Sequence, residues 1–306
     1  MSEKPVNPNR RKFIKSILGL GSVLETSARA NVPVKQEEKF FWADLSTGNI
    51  GFPTGLDVPM ARPGSVMKVI SAAALLEEGA INPNESIECT GYFQHREKGY
   101  KCPLAHGMLS VEEALAQSCN VYFAKASCRL GSHTLLGYAE KFGLNTPISD
   151  QPSGSFPERE SVEDDVVPYA LGLSKQVKPS ALQLLRVAAL VAGGGNVPFL
   201  KSAEKFDLKG EAFKLQLSDT TFDSLAEGMR RAARSGTARH LDPEDKLKLA
   251  VKTGTVGHGK KFKSWIIGFF PFDNPKHAFS LFAPVGTSHD SAVPLAARRL
   301  LSVEWP

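Results

Sequence analysis

Residues Val66 to Glu78 read Val-Met-Lys-Val-Ile-Ser-Ala-Ala-Ala-Leu-Leu-Glu-Glu, bounded by Pro63-Gly64 before and Gly79 after. A helix over this stretch, opening at or near Ser65, is apolar almost all round. A helix without a polar face has to be surrounded by protein, so the fold must place it at its centre. One residue conflicts with that placement. Lys68 lies inside the apolar run, and a buried ammonium is costly unless something pairs with it or takes its proton. The helix therefore predicts both a large core and a site built around its lysine.

Other segments can supply that core. Phe40–Leu45 and Ile50–Phe52 read as strands joined by the turn Ser46-Thr47-Gly48-Asn49. Helical patterns cover Val111–Gln117, about Asn120–Leu130, Pro179–Ala192 (stopped by Gly193-Gly194-Gly195) and Asp219–Ala233. Leu249–Thr255, Ser264–Phe270 and Ala278–Pro284 read as consecutive strands, and a helix near Ser291–Leu301 follows. Strands first, helices in the middle and hairpins last predict an antiparallel sheet with helices packed on it, an α+β fold.

The 306 residues are 42% hydrophobic and 23% charged, which excludes a disordered chain. Of the formal charge of +5, residues 1–30 carry most: six basic groups against two acidic, leaving 31 basic and 30 acidic groups elsewhere. That balance gives no support to a nucleic-acid partner. The same thirty residues read as a cleavable export signal. Asn9-Arg10-Arg11-Lys12-Phe13-Ile14-Lys15 is similar to a twin-arginine motif, although Asn9 stands where Ser or Thr is usual. A weakly apolar stretch from Ser16 to Leu24 and the small-x-small site Ala28-Arg29-Ala30 follow. The stretch is too short to span a bilayer, so no stable transmembrane anchor is expected. Residues 31–306 are then one mature, extracytoplasmic or periplasmic domain.

Export bears on the four cysteines. Cys89 and Cys102 are close in sequence and flanked by turn formers, and in an oxidising compartment they can pair; two free loop thiols are the alternative. Cys119 and Cys128 lie too far apart along a helix to bridge. No metal site is expected, since there is no CxxC pair and His95 and His106 lack ligand spacing.

Three short words carry chemistry: Ser65-Val66-Met67-Lys68, Ser118-Cys119-Asn120 and Lys252-Thr253-Gly254-Thr255. A serine hydroxyl is a poor nucleophile until a base takes its proton. Lys68 lies one helical turn from Ser65 on the same face, and a desolvated lysine near other cations can be that base. Backbone N–H groups at the helix start can hold an oxyanion. Ser118 and Asn120 can relay a proton and hold a substrate amide. Lys252 supplies positive charge, the hydroxyls of Thr253 and Thr255 can bind a carboxylate, and Gly254 gives a substrate backbone room to approach the strand. Each word also has a plain structural explanation. Ser65 can be a helix cap, Lys68 a solvated charge, Ser118 and Asn120 caps of the next helix, and Lys252 a strand-edge gatekeeper. Ser202-Ala203-Glu204-Lys205 matches the first word as well. What separates the set from chance is its order and a lysine set among apolar residues.

With these words, the segment from Phe41 to about Phe282 resembles the transpeptidase domain of class B penicillin-binding proteins. Trp42-x-Asp44-x-x-Thr47-Gly48-x-Ile50 is similar to the family's first hairpin, and Arg62-Pro63-Gly64-Ser65 to its approach to the nucleophile. Cys89-x-Gly91, Cys102 and His106-Gly107 resemble a loop of the elongation-type branch. Gly172-Leu173, Val177-x-Pro179, Gly228-Met229 and Ser235-Gly236-Thr237-Ala238 follow further family patterns. The resemblance implies a five-stranded antiparallel sheet with helices on both faces and a mostly helical subdomain. It implies acyl transfer on the D-Ala-D-Ala end of peptidoglycan stem peptides, with Ser65 acylated, Lys68 as base and Ser118 as proton shuttle. β-Lactam antibiotics would acylate Ser65 as substrate mimics, cell-wall synthesis proteins would be partners, and no cofactor is implied. From this sequence neither the family's membrane-spanning N-terminus nor its pedestal domain is expected, and Leu171-Gly172-Leu173-Ser174 stands where Gly-Gln-Gly is usual.

Other readings use the same residues. A class A β-lactamase needs a Glu-x-x-x-Asn loop, whereas Glu158 and Glu160 are followed at the fourth place by Val162 and Asp164, and the class D middle word is Ser-x-Val. A D,D-carboxypeptidase or endopeptidase differs only in its acceptor. A sensor module that acylates without turnover is the alternative of another class.

Overall fold

The computed structural model describes residues 38–148, 151–202, 212–258 and 261–305, apart from Pro53, Gly55, Leu56 and Glu304. The export-signal reading of residues 1–30 lies outside the described residues. In chain order the elements are β1 (Lys39–Asp44), β2 (Asn49–Gly51), α1 (Lys68–Glu77), β3 (Ile87–Cys89), β4 (Tyr92–His95), β5 (Lys98–Lys101) and β6 (Gly107–Leu109). The helices α2 (Val111–Ala116), α3 (Asn120–Ser127), α4 (Ser132–Lys141), α5 (Val166–Ala170) and α6 (Ala181–Ala192) follow. Then come β7 (Asn196–Val197), β8 (Lys201–Ser202), β9 (Phe213–Lys214), α7 (Asp219–Arg234), β10 (Ala250–Val256), β11 (Lys263–Phe270), β12 (His277–Ala283) and α8 (Val293–Leu301).

The main sheet runs β10-β11-β12-β1-β2-β8. Its first five strands are antiparallel neighbours, as expected; the two-residue β8 adds to β2 in parallel. Strands β11 and β12 are buried along nearly their whole length, which explains why they read as continuous apolar runs rather than alternating ones. Successive residues still face opposite sides. Phe41, Ile267 and Phe282 join one core with α1 and α6, while Phe40, Ile266 and Leu281 join a second with Ala296 and Leu300 of α8. Helices thus cover both faces.

Helix α1 is buried as its composition demands and touches α2, α3, α4, α5 and α7. It begins one turn later than the sequence predicts: Gly64–Met67, with Ser65, form a 3-10 turn that leads into Lys68. Reciprocal capping boxes start two helices, Ser110 with Glu113 for α2 and Ser180 with Gln183 for α6. Between α1 and α2 the sequence shows no regular element, yet the structure holds two small antiparallel pairs, β3 with β6 and β4 with β5. Strands this short carry too few residues for a period to be read.

The nucleophile turn is pressed from behind by backbone. Gly172 has φ +66°, and it packs so close to Gly64 that an added Cβ would lie 2.1 Å from the Gly64 carbonyl oxygen. The Gly64 N–H donates to the Gly172 carbonyl at 3.1 Å. Gly172→Ala is expected to lower unfolding stability by about 2–5 kcal/mol, from a left-handed backbone and a steric clash together. Chemical denaturation of the two proteins measures it.

Candidate active site

The three sequence words meet at one place. Lys68 is buried, and its Nζ donates to Ser65 Oγ at 3.0 Å, to the Ser118 carbonyl at 2.7 Å and to Asn120 Oδ1 at 2.6 Å. Ser118 Oγ lies 3.5 Å from the same nitrogen and accepts from Lys252 Nζ at 2.8 Å. The Ser118 hydroxyl therefore sits between two lysines, and Lys68 bridges the nucleophile to the second word. Ser202 lies on β8, at the opposite edge of the sheet from β10, so the decoy match is remote from this site.

Local structure explains each position. The 3-10 turn and α1 put Ser65 and Lys68 one turn apart on one face. Ser118 has φ +52°, a left-handed conformation that side chains rarely adopt. Strain of this kind persists where surroundings fix it; here the Ser118 carbonyl and hydroxyl are both engaged by lysines. Asn120 opens α3 and is held from behind, its Nδ2 donating to the Lys101 carbonyl at 2.7 Å. β10 is an edge strand, so one side is free to pair with an extended ligand. Thr253 Oγ1 donates to Thr237 Oγ1 at 2.9 Å, while Thr255 Oγ1 donates to Ser288 Oγ at 3.1 Å and accepts the Ser288 N–H at 2.9 Å.

Gly254 has a packing role that its sequence pattern does not show. The place of its absent Cβ lies 2.6 Å from the Pro63 carbonyl oxygen and 3.0 Å from Val66 Cγ2. The glycine lets β10 close onto the protein's own Gly64–Met67 turn. Ser288 went unread in the sequence because it lies far along the chain in a segment without a motif; Thr237 was visible only as part of a family pattern.

Burial governs the electrostatics. It lowers Lys68 to about 8, with the Cys119 and Cys102 thiols opposing that shift. Burial also holds Lys252 well below the usual lysine range, and the nearby Lys68 charge lowers it further. A lysine with a pKa near 8 is partly neutral at physiological pH, as a general base requires.

A second cluster stands directly behind Asn120. Cys89 Sγ, Cys102 Sγ, a ring nitrogen of His106 and Cys119 Sγ all lie within 4.8 Å of one another. This corrects two sequence expectations. All four cysteines are free, so the Cys89–Cys102 bridge is not formed. Ligand spacing is also not a bar to a metal, because the fold gathers the donors from separate elements. Pairing of β3 with β6 sets Cys89 opposite Gly107, next to His106, and Cys119 caps α3. Three thiols and one imidazole in a tetrad are a donor set that suits zinc. The sulfurs also hold backbone: Cys102 Sγ accepts from Asn120 N at 3.2 Å and Cys119 Sγ from Tyr122 N at 3.3 Å. The hydrogen bond shared by Cys102 and Cys119 lowers the Cys102 thiol and raises the Cys119 thiol, and the backbone N–H groups of Val121 and Asn120 lower Cys102 further.

An antiparallel sheet sandwiched by helices, with a serine, two lysines and a Lys-Thr-Gly edge strand converging on one site, defines a serine–lysine active-site fold. The family model for the penicillin binding protein transpeptidase domain matches residues 58–299. The chain belongs to that family. Peptidoglycan D,D-transpeptidase PbpA of Mycobacterium tuberculosis is 29% identical over 258 residues, covering 75% of this chain and 51% of the relative. Stage V sporulation protein D of Bacillus subtilis is 28% identical over 238 residues, covering 70% of this chain and 36% of the relative. The chain thus spans about half or less of the length of these curated relatives. The crystal structure of Pseudomonas aeruginosa PBP2 in complex with WCK 5153 superposes with a TM-score of 0.76 at 20% identity, covering 88% of this chain and 73% of that one. That likeness is one of fold.

Two outcomes follow from this geometry. If neutral Lys68 is the base, the rate of Ser65 acylation by a penicillin rises about tenfold per pH unit below 8 and levels off above it; a pH series of stopped-flow labelling rates reads this out. Protein purified without chelators carries about one zinc per chain, and chelation lowers its thermal midpoint by several degrees or more. Elemental analysis and a melting scan check both.

Proposed function

We propose that this chain is an active-site serine acyltransferase of the D,D-transpeptidase type, acting on the D-Ala-D-Ala end of peptidoglycan stem peptides. The observation that carries the reading is the Lys68 ammonium, buried and shared between Ser65 Oγ at 3.0 Å and Asn120 Oδ1 at 2.6 Å. Neutral Lys68 takes the Ser65 proton as Oγ attacks the penultimate carbonyl, and N–H groups of the nucleophile turn face the developing oxyanion. Ser118, held by Lys252 at 2.8 Å, passes a proton to the departing D-alanine amine. An amine of a second stem peptide then takes the acyl group, and Ser65 recovers its proton through Lys68. The terminal carboxylate lies along Thr253 and Thr255, with Lys252 supplying positive charge; the donor peptide extends along the free edge of β10. β-Lactam antibiotics enter the same path and stop at the acyl-enzyme.

Such a substrate is extracytoplasmic, in keeping with the export signal read in residues 1–30. Cell-wall synthesis proteins are the natural partners. No helix among the described residues is long and apolar enough to cross a membrane.

Incubation with a fluorescent penicillin, followed by intact mass, tests the reading. A lasting one-to-one adduct on Ser65 is expected. Ser65→Ala removes it, Ser202→Ala keeps it, and Lys68→Ala slows its formation by about 10²–10⁴-fold. Rapid loss of the adduct with hydrolysed drug accumulating would instead identify a β-lactamase. Well-folded protein that never labels would defeat the acyl-transfer reading.

A further inference from the structure

Acyl transfer uses neither Cys102 nor Cys119, yet their sulfurs lie 3.6 Å apart directly beneath the second catalytic word. Cys89 Sγ lies 3.4 Å from His106 Nδ1 and within 4.8 Å of both of these sulfurs. A disulfide needs its sulfurs about 2.05 Å apart, so closing this pair takes a movement of about 1.5 Å. Cys102 is half-buried on the loop after β5, and Cys119 is fully buried behind it. A small oxidant therefore reaches Cys102 first. The Asn120 and Val121 N–H groups point at that sulfur, at 3.2 and 3.5 Å, so a change there is felt directly at the start of α3.

We propose that Cys102 and Cys119 form an oxidation site at which a peroxide closes a disulfide, slackening the Ser118–Asn120 segment that positions Lys68. The Cys102 thiolate attacks the peroxide O–O bond, giving a sulfenic acid and one water once the leaving oxygen is protonated. Cys119 sulfur then attacks the sulfenic sulfur, forming the S–S bond and releasing a second water. Two thiols lose two electrons and two protons, and one hydrogen peroxide becomes two waters. A metal held by the tetrad leaves with this step, since Cys89 and His106 alone offer two of the four donors that zinc needs.

The structural effect falls on three amides. Asn120 and Val121 N–H donate to Cys102 Sγ, and Tyr122 N–H to Cys119 Sγ. A disulfide sulfur carries no thiolate charge and is a poorer acceptor. The first turn of α3 then loses its cap, and with it the fixed place of Asn120 Oδ1 on Lys68. The consequence for Ser65 rests on the acyl-transfer reading; the sulfur chemistry and the loosening of α3 do not.

The whole chain, reduced and zinc-loaded, is treated with graded hydrogen peroxide. Peptide mass mapping identifies the disulfide, a chromophoric chelator follows zinc release, and amide hydrogen exchange follows residues 118–123. Fluorescent penicillin labelling follows Ser65. Expected are a Cys102–Cys119 disulfide, release of one zinc per chain, at least tenfold faster exchange at residues 120–122 and at least tenfold slower labelling. Dithiothreitol with zinc reverses all four. Cys102→Ser abolishes the disulfide, whereas Cys128→Ser leaves the response intact; the wild-type mapping decides the question should Cys102→Ser fail to fold. A different pairing, no bridge at peroxide levels that oxidise the exposed Cys128, or a bridge without faster exchange would overturn the proposal. Reduced protein that never labels Ser65 would sink the acyl-transfer reading, while mapping and exchange still decide this one.

Discussion

One buried ammonium organises the molecule. Lys68 is at the start of a helix that is surrounded by protein, and leaving its charge unpaired there would cost far more than a single fold contact returns. Ser65, the Ser118 carbonyl and Asn120 meet that need at 3.0, 2.7 and 2.6 Å. The same contacts that make its burial tolerable also bring together Ser65, Lys68, Ser118 and Asn120, the residues proposed as nucleophile, base and relay. Burial of the lysine and the proposed chemistry share one set of hydrogen bonds.

Holding the two halves of the site together takes close backbone approach. Gly64, Gly172 and Gly254 stack the nucleophile turn between the segment after α5 and strand β10, with no space for a Cβ at Gly172 or Gly254. β10 can then bring Lys252 to Ser118 while leaving its outer edge unpaired. An edge strand is ordinarily an aggregation hazard; here it is where an extended peptide is proposed to lie.

The thiol–imidazole cluster adds a second support to the same segment. Asn120 is held in front by Lys68 and behind by Cys102 Sγ and the Lys101 carbonyl. Any change at the sulfurs, by metal loss or by oxidation, acts on a residue one bond network away from the nucleophile. The hairpin β4–β5 lies between Cys89 and Cys102 in sequence, so the two cysteines flank this small unit.

Much of this was legible in the chain. The apolar run around Lys68 required a buried helix and a reason for its lysine; the late apolar strands required a covered sheet; and the order of the three words required them to meet. These are local signals, carried by period and composition. Other features are not local. Cys89, Cys102, His106 and Cys119 follow no recognised ligand spacing, because strand pairing and a helix cap, rather than one short loop, bring them within 4.8 Å. The expected Cys89–Cys102 bridge failed for the same reason: nearness in sequence says little about which sulfur faces which. Ser288 meets Thr255 only because the segment after β12 folds back over the sheet edge. The sequence by itself determined which residues had to be buried and which chemistry they could perform. Tertiary structure alone decided which distant atoms touch, because contacts between elements depend on packing geometry that no single segment encodes.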